Sequence, residues 1–396
     1  TLASRGNLAG AYQSAGRLDE AIPLFEQTLA DSLRVLGPDN PDTLTSRNNL
    51  AHAYRSAGRL GQAIDLFEQN LADRLRVLGP GNPDTLASRG NLAGAYQSAG
   101  RLDQAIDLYE QNLADRLRVL GPDNPDTLTS RNNLAYAYES AGRLDEAIPL
   151  FEQTLADSLR VLGPDNPDTL ASRGNLAGAY QSAGRLDQAI DLYEQNLADR
   201  LRVLGPDNPD TLTSRNNLAY AYESAGRLEQ AIPLYEQTLA DSLRVLGPDH
   251  PDTLTSRNNL AHAYRSAGRL DQAIDLYEQN LTDRLRVLGP DNPDTLASRG
   301  NLAYVYWSAD RFDEAIPLFK QTLADSLRVL GADHPDTLAS RNDLASAYES
   351  AGRLEQAIPL YEQNLADRER ILGADHPDTL TSRGNLANVY ESAGRL

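Results

Sequence analysis

A period of forty-two residues constrains this chain more than any other feature. The string TLASRGNLAGAYQSAGRLDQAIDLYEQNLADRLRVLGPDNPD runs from Thr85 to Asp126 and returns unchanged from Thr169 to Asp210. Near-copies occupy 1–42, 43–84, 85–126, 127–168, 169–210, 211–252, 253–294, 295–336 and 337–378, and a partial copy fills 379–396. A fixed period of this size marks a repeat array, in which one copy cannot cover its own apolar surface and must be stacked on its neighbours. The period overrides the two or three domains that 396 residues would otherwise suggest. It predicts a single, quasi-one-dimensional array over 1–396.

Within one copy the signals are helical. In the second copy Asn40 is a good N-cap, Pro41 suits the first helical position, and Asp42 complements the helix dipole. The first helix is expected from Pro41 to Ala57, ended by Gly58 in the left-handed conformation. The second is expected from Leu60 to Leu78, ended by Gly79-Pro80. So short a loop makes the two antiparallel. In the first copy Leu8, Ala11, Tyr12 and Ala15 share one face of the first helix. Ala21, Ile22, Phe25, Leu29, Leu33 and Leu36 share one face of the second. Pro23, Pro149, Pro233, Pro317 and Pro359 fall near the start of second helices, where a bend is expected and a break is not.

These residues resemble the tetratricopeptide repeat family. Leu8, Ala9, Tyr12, Gly16, Ala21, Phe25 and a closing Pro41 fit its pattern. The stretch from Asp241 to Thr253, DSLRVLGPDHPDT, is similar to the forty-two-residue repeats of kinesin light chains, nephrocystin-3-like proteins and bacterial regulators. Two positions depart from the pattern: Arg5 stands where the family has Trp, and Thr28 or Asn70 where it has a small residue. The resemblance implies an all-α solenoid, a right-handed superhelix of helix pairs with the first helices lining its concave side. It implies peptide or protein binding there, and no catalysis.

Comparison of the copies separates a fixed frame from a varied face. Substitutions along the first helix concentrate at positions 3, 6, 10 and 13: Ala3, Gly6, Gly10 and Gln13 in the first copy, Thr45, Asn48, His52 and Arg55 in the second. Spacings of three and four put them on one face. The same positions hold Tyr136 and Glu139, Tyr220 and Glu223, His262 and Arg265, and Tyr304 and Trp307 in later copies. Beside them runs a row of amides: Asn7, Asn49, Asn91, Asn133, Asn175, Asn217, Asn259, Asn301 and Asn385, broken only by Asp343. Such a row is able to bond the backbone of an extended peptide, or the neighbouring repeat. The second asparagine that related proteins place one turn later occurs only as Asn388. The eighth copy is the most divergent. It holds the only Trp, Trp307, one turn from Tyr304, and Asp310 where other copies have the helix-ending Gly.

Composition excludes several classes. A formal charge of −19 argues against nucleic acid as a partner. It favours basic or neutral partner segments, although Arg47, Arg55 and Arg59 form a local basic patch. There is no cysteine, and no apolar run near eighteen residues that would span a membrane. The five histidines, His52, His250, His262, His334 and His376, show no metal-ligand spacing. Acidic pairs such as Asp19-Glu20 recur as helix starts. No cofactor, metal or enzymatic activity is expected. A cytoplasmic location is expected, since neither a signal peptide nor a membrane segment is seen. High Arg, Ala and Gly content suggests a bacterial source. The chain lacks Met, starts flush with a copy and stops within one, so it reads as a piece of a longer protein.

The leading expectation is a protein-interaction scaffold that binds a protein or peptide segment along the concave face. Two alternatives remain open: a sensor or spacer arm of a larger bacterial NTPase-type (STAND) regulator, and an array that associates with itself head to tail through its truncated ends.

Overall fold

The computed structural model describes residues 1–395, in which nineteen α-helices and no strands occur. They form two compact units, Thr1–Asp199 and the residues from Arg200 onward. The first unit contains α1 (Leu2–Ser14), α2 (Leu18–Leu36), α3 (Pro41–Ser56), α4 (Leu60–Leu78), α5 (Pro83–Ser98), α6 (Leu102–Leu120), α7 (Pro125–Ser140), α8 (Leu144–Val161) and α9 (Pro167–Ser182). Next along the chain comes α10 (Leu186–Leu204). The second unit continues with α11 (Pro209–Ser224), α12 (Leu228–Val245), α13 (Pro251–Ser266), α14 (Leu270–Val287) and α15 (Pro293–Ser308). It ends with α16 (Phe312–Val329), α17 (Pro335–Ser350), α18 (Leu354–Leu372) and α19 (Pro377–Ser392). Consecutive helices pack on one another from α1 to α9, and again from α11 to α19. Both units are therefore stacks of helix pairs, the α-solenoid arrangement.

The caps form where the sequence places them. Asn40 Oδ1 accepts the Asp42 N–H at 2.9 Å. His250, His334 and His376 take the same role through Nδ1 at 3.2 Å, so these three histidines cap helices. The first helix ends at Ser56, one residue earlier than expected, because Ala57 has already left helical geometry. Gly58 then turns the chain at φ +71°, and the Arg59 N–H closes on Tyr54 O at 2.9 Å. The helix over Leu60–Leu78 has the expected bounds. The second helices run unbroken through Pro23, Pro149, Pro233, Pro317 and Pro359.

Asp310 is the only non-glycine residue with positive φ, at +57°, among the described residues. The left-handed region costs an L-residue roughly 1–2 kcal/mol. Asp310→Gly is therefore expected to stabilise the α15–α16 pair by about 1 kcal/mol. Slower amide exchange in those two helices would show it, and unchanged exchange would contradict it.

The core follows the helical pattern with one correction. Leu50, Ala53 and Tyr54 of α3 and Ala63, Ile64 and Phe67 of α4 are buried, as are their counterparts in most other copies. Leu33 and Leu36, expected in the core, are exposed, as are Leu75, Leu117 and Leu159 at the place of Leu33. The buried apolar stripe stops at Leu29, and beyond it the buried places of the second helices are taken by polar side chains such as Ser32, Arg74 and Ser158. Leu8 is also exposed, because α1 has a helix packed on one side only.

A second correction concerns Arg47, which does not belong with Arg55 and Arg59 in a basic surface patch. It is only 6% exposed, and its Nη1 lies 2.7 Å from Asp73 Oδ2. The same pair recurs as Arg89–Asp115, Arg131–Asp157, Arg215–Asp241 and Arg341–Asp367, each at 2.7 Å. Arg therefore replaces the family's Trp as half of an ion pair that joins the two helices of one copy. Arg59 remains exposed, with its guanidinium over the Tyr54 ring at 5.8 Å.

Successive copies are joined by further polar contacts. The hydroxyls of Tyr54 and Tyr180 donate to Glu26 and Glu152 of the preceding copies at 2.6 Å. Arg160 reaches back to Asp123 at 2.6 Å, and Arg328 to Asp291 at the same distance.

Candidate functional site

Positions 3, 6 and 7 of a first helix open into crevices between successive helix pairs. Four such crevices are well formed. Each is bounded by one helix pair and the first helix of the next copy, and each has Thr at position 28 of its second helix: Thr28, Thr154, Thr238 and Thr322. Their sizes follow the varied residues. With Thr213 and Asn216 on the wall the volume is about 190 Å³, and with Thr129 and Asn132 about 210 Å³. With Ala3 and Gly6 it is about 240 Å³, and with Ala297 and Gly300 about 330 Å³.

Copies with Asn at position 28 treat the same space differently. A Cβ on Gly90 would lie 3.4 Å from Asn112 Nδ2, and one on Gly174 would lie 3.3 Å from Asn196 Nδ2. At Gly6 and Gly300 a Cβ would meet nothing within 4 Å. Crevice size is thus set jointly by positions 6 and 28. Sequence reasoning misses the role of position 28, where Thr28 and Asn70 register only as departures from the family pattern. A signal is there: the residue switches between Thr and Asn among the copies.

The amide row divides into two groups. Nδ2 of Asn91, Asn175, Asn259, Asn301 and Asn385 donates to Oδ1 of Asn48, Asn132, Asn216, Asn258 and Asn342 of the preceding copy, at 2.9–3.1 Å. This occurs only where the preceding copy has Asn at position 6. Each bond uses one of two N–H groups, so the carbonyl oxygen and one donor remain. Asn7, Asn49, Asn133 and Asn217 follow no such neighbour and show no side-chain hydrogen bond among the described residues. Asn7 and Asn49 are exposed, and Asn133 and Asn217 half-buried.

Positions 10 and 13 are less open than an exposed face would be. The His52 ring meets Phe67 edge-on at 5.0 Å, and burial, helped by the nearby Arg55 charge, lowers its pKa to about 4. His52 is therefore neutral at physiological pH. Arg55 lies across to the next copy, where a Cβ on Gly94 would come within 3.2 Å of its Nη1. Tyr136 packs edge-on against Phe151 at 5.1 Å, and Glu139 accepts from Ser182 at 3.0 Å.

Tyr220 is 57% exposed, more than any other aromatic residue of this face. Glu223 accepts from Tyr235 at 2.9 Å and lies 2.7 Å from His262 Nδ1. Burial would push the Glu223 carboxyl up, but its hydrogen bonds from His262, Tyr235 and Ser266 outweigh that and hold it below the usual range. Arg265 is half-buried, and its charge reaches the Tyr277 and Tyr304 hydroxyls. Tyr304 meets Phe319 edge-on at 5.2 Å and Trp307 at 6.0 Å. Trp307 is half-buried, so it lines the face without projecting freely from it. Asn388 is exposed.

No group of three or more metal-ligating side chains occurs among the described residues. No helix there is long and apolar enough to cross a membrane.

Stacked helix pairs with crevices of graded size define a helical repeat protein. The chain belongs to the tetratricopeptide repeat family. That family's model matches residues 1–76, 47–114, 84–158, 133–200, 168–244, 225–282, 259–326, 294–366 and 342–396. Among solved structures, the chain is similar to the nearly identical TPR-like repeats of a putative kinesin light chain from Podosopora anserina. Identity is 36% over 51% of this chain and 96% of that one, with a TM-score of 0.48. It shares its fold with a signal transduction ATPase with a tetratricopeptide repeat sensor from Pyrococcus horikoshii. There identity is 13% and the TM-score 0.58, covering 89% of this chain and 53% of that one. The quorum sensor NprR from B. thuringiensis also shares it, at 14% identity and a TM-score of 0.54, covering 92% of this chain and 97% of that one. No curated protein matches the chain.

Proposed function

We propose that the array is a non-catalytic scaffold that binds an extended protein or peptide segment along the face of its first helices. The observation that supports this is where variation falls. The Arg–Asp pairs, the caps and the alanine core recur from copy to copy, while positions 3, 6, 10 and 13 change. Two of these, 3 and 6, form crevice walls and change crevice volume from about 190 to about 330 Å³. An invariant frame with graded crevices is what a binder needs to read different side chains at successive places. The family's general role as an interaction scaffold agrees with it.

The test is selection of a random linear peptide library on the whole chain. Selected peptides are then measured against a variant carrying Gly6→Asn and Gly300→Asn, the residue that other copies hold at this position. Binding at least about tenfold weaker to the filled variant is expected. Equal binding by both proteins, with unchanged helicity, would place the binding site elsewhere.

A further inference from the structure

The crevice between α15, α16 and α17 differs from the other three in charge as well as in size. It is the largest, at about 330 Å³, and Tyr304 and Phe319 form an aromatic wall within it. Position 7 of the ninth copy supplies Asp343, where all other copies supply Asn. Asp336 lines the same crevice, and no Lys, Arg or His does. Asp343 is half-buried and makes no ion pair among the described residues. It contrasts with Asp241 and Asp367, whose carboxylates are each met by two arginines.

The groups around Asp343 do not supply the missing cation. The Tyr304 hydroxyl faces it from α15, and Tyr361 and Arg368 act on it from α18. Arg368 is committed to α19, donating to Asp378 O at 2.9 Å and Ser382 Oγ at 3.0 Å. Burial therefore dominates and pushes the Asp343 carboxyl up, against the opposing influence of Tyr304 and Arg368. A half-buried carboxyl in an open crevice, without a counter-ion, is a recognisable binding feature.

We propose that this crevice accepts the cationic side chain of a lysine or arginine in the bound segment, its charged head at Asp343 and its methylene stem along Tyr304, which the buried Phe319 supports from behind. The Tyr304 ring suits both parts of such a side chain, and the volume is at the lower end of ligand pockets, enough for one side chain. This rests on the reading of the first-helix face as a peptide site and adds the chemistry of one position. It also fits the acidic balance of the chain, −19 at neutral pH.

The chain contains its own reporter. Trp307 is the only tryptophan, and its ring is 6.0 Å from that of Tyr304. The probes are acetyl-Ala-Ala-Lys-Ala-Ala-amide and its arginine and norleucine counterparts, titrated into the whole chain with Trp307 emission and calorimetry as readouts. The lysine and arginine peptides are expected to saturate the signal and to bind about tenfold more tightly than the norleucine peptide. Asp343→Asn, which installs the residue of the other copies, is expected to abolish that preference. Thr322→Asn, the residue of the third and fifth copies, is expected to fill the crevice and weaken binding of all three peptides.

Equal affinity for the lysine and norleucine peptides, a preference that survives Asp343→Asn, or no binding of any of the three would overturn the proposal. These outcomes are separable from failure of the scaffold reading. Library peptides that lack basic residues, yet still lose affinity for the filled variant, would retain the binding face and reject the cation pocket. Circular dichroism of both single variants checks that they remain folded.

Discussion

Asp241→Ala is expected to destabilise the second unit by about 3–5 kcal/mol. Arg215 is almost fully buried, and its Nη1 lies 2.7 Å from Asp241 Oδ2. Removing the carboxylate leaves a buried guanidinium without its counter-charge, and that unpaired charge is the main cost. Arg244 also loses a partner at 3.1 Å, but its guanidinium is exposed and keeps Asp207, so that loss contributes little. Replacing both members, Arg215→Met with Asp241→Leu, should recover more than half of the loss, because apolar pairs often substitute for buried ion pairs without penalty. Denaturation of the single and double variants checks both parts. If the double variant were no more stable than the single one, the desolvation argument would fail.

Acid should weaken the same contact. Burial favours the protonated Asp241, but hydrogen bonds from Gln237, Arg244 and Arg215 outweigh it and hold the carboxyl below its usual range. A depressed folded-state pKa contributes stability that is fully present above the unfolded carboxylate value, near about 3.9. It is lost as pH falls through the folded value. Wild-type stability should therefore drop below about pH 4, and the Asp241→Ala variant should show a smaller drop.

Phe151→Ala is the second large effect, expected at about 3–5 kcal/mol. Phe151 is fully buried in α8. Its ring supports Tyr136 at 5.1 Å and 80°, so the cavity would open directly behind position 10 of the candidate face. In a repeat array the damage should be local, since each copy contacts its neighbours only. Amide exchange is expected to rise in α7, α8 and α9 and to change little in α1 to α3. Uniform acceleration across the first unit would show that it unfolds as one body instead.

The helices and their caps are legible in the sequence because they depend on local chemistry. Asn40-Pro41 and Gly58 each act on their own backbone, and the bounds they imply are correct to within a residue. The burial of Arg47 is not legible, because it depends on Asp73 in the next helix, and a long basic side chain reads as surface when its partner is unseen. Leu33 and Leu36 mislead for a related reason. Their spacing continues the apolar stripe, but past Leu29 the buried place goes to the polar Ser32 beside them. For the candidate site, variation at positions 3 and 6 singles out the residues that wall the crevices. The crevices themselves do not follow from it, because their depth depends on position 28 of another helix. The amides are visible as a row, but which of them are tied to the neighbouring copy depends on whether position 6 of that copy is Asn or Gly.

That dependence on position 6 has a consequence for how such an array is lengthened or rearranged. An Asn-to-Asn link forms only when a copy with Asn at position 6 precedes the next one, so the copies are not interchangeable. A pair in which a copy with Asn at position 6 is followed by a copy with Gly there carries its own link, and the sixth and seventh copies, both with Asn at that position, are linked as well. Asn48 with Gly90 and Asn132 with Gly174 mark two such pairs, the second and third copies and the fourth and fifth. The two identical strings that begin at Thr85 and Thr169 each complete one of them. Inserting or deleting whole pairs preserves every link, whereas inserting a single copy with Gly at that position creates a junction without one. Grammar, not only composition, is therefore inherited when the array changes length.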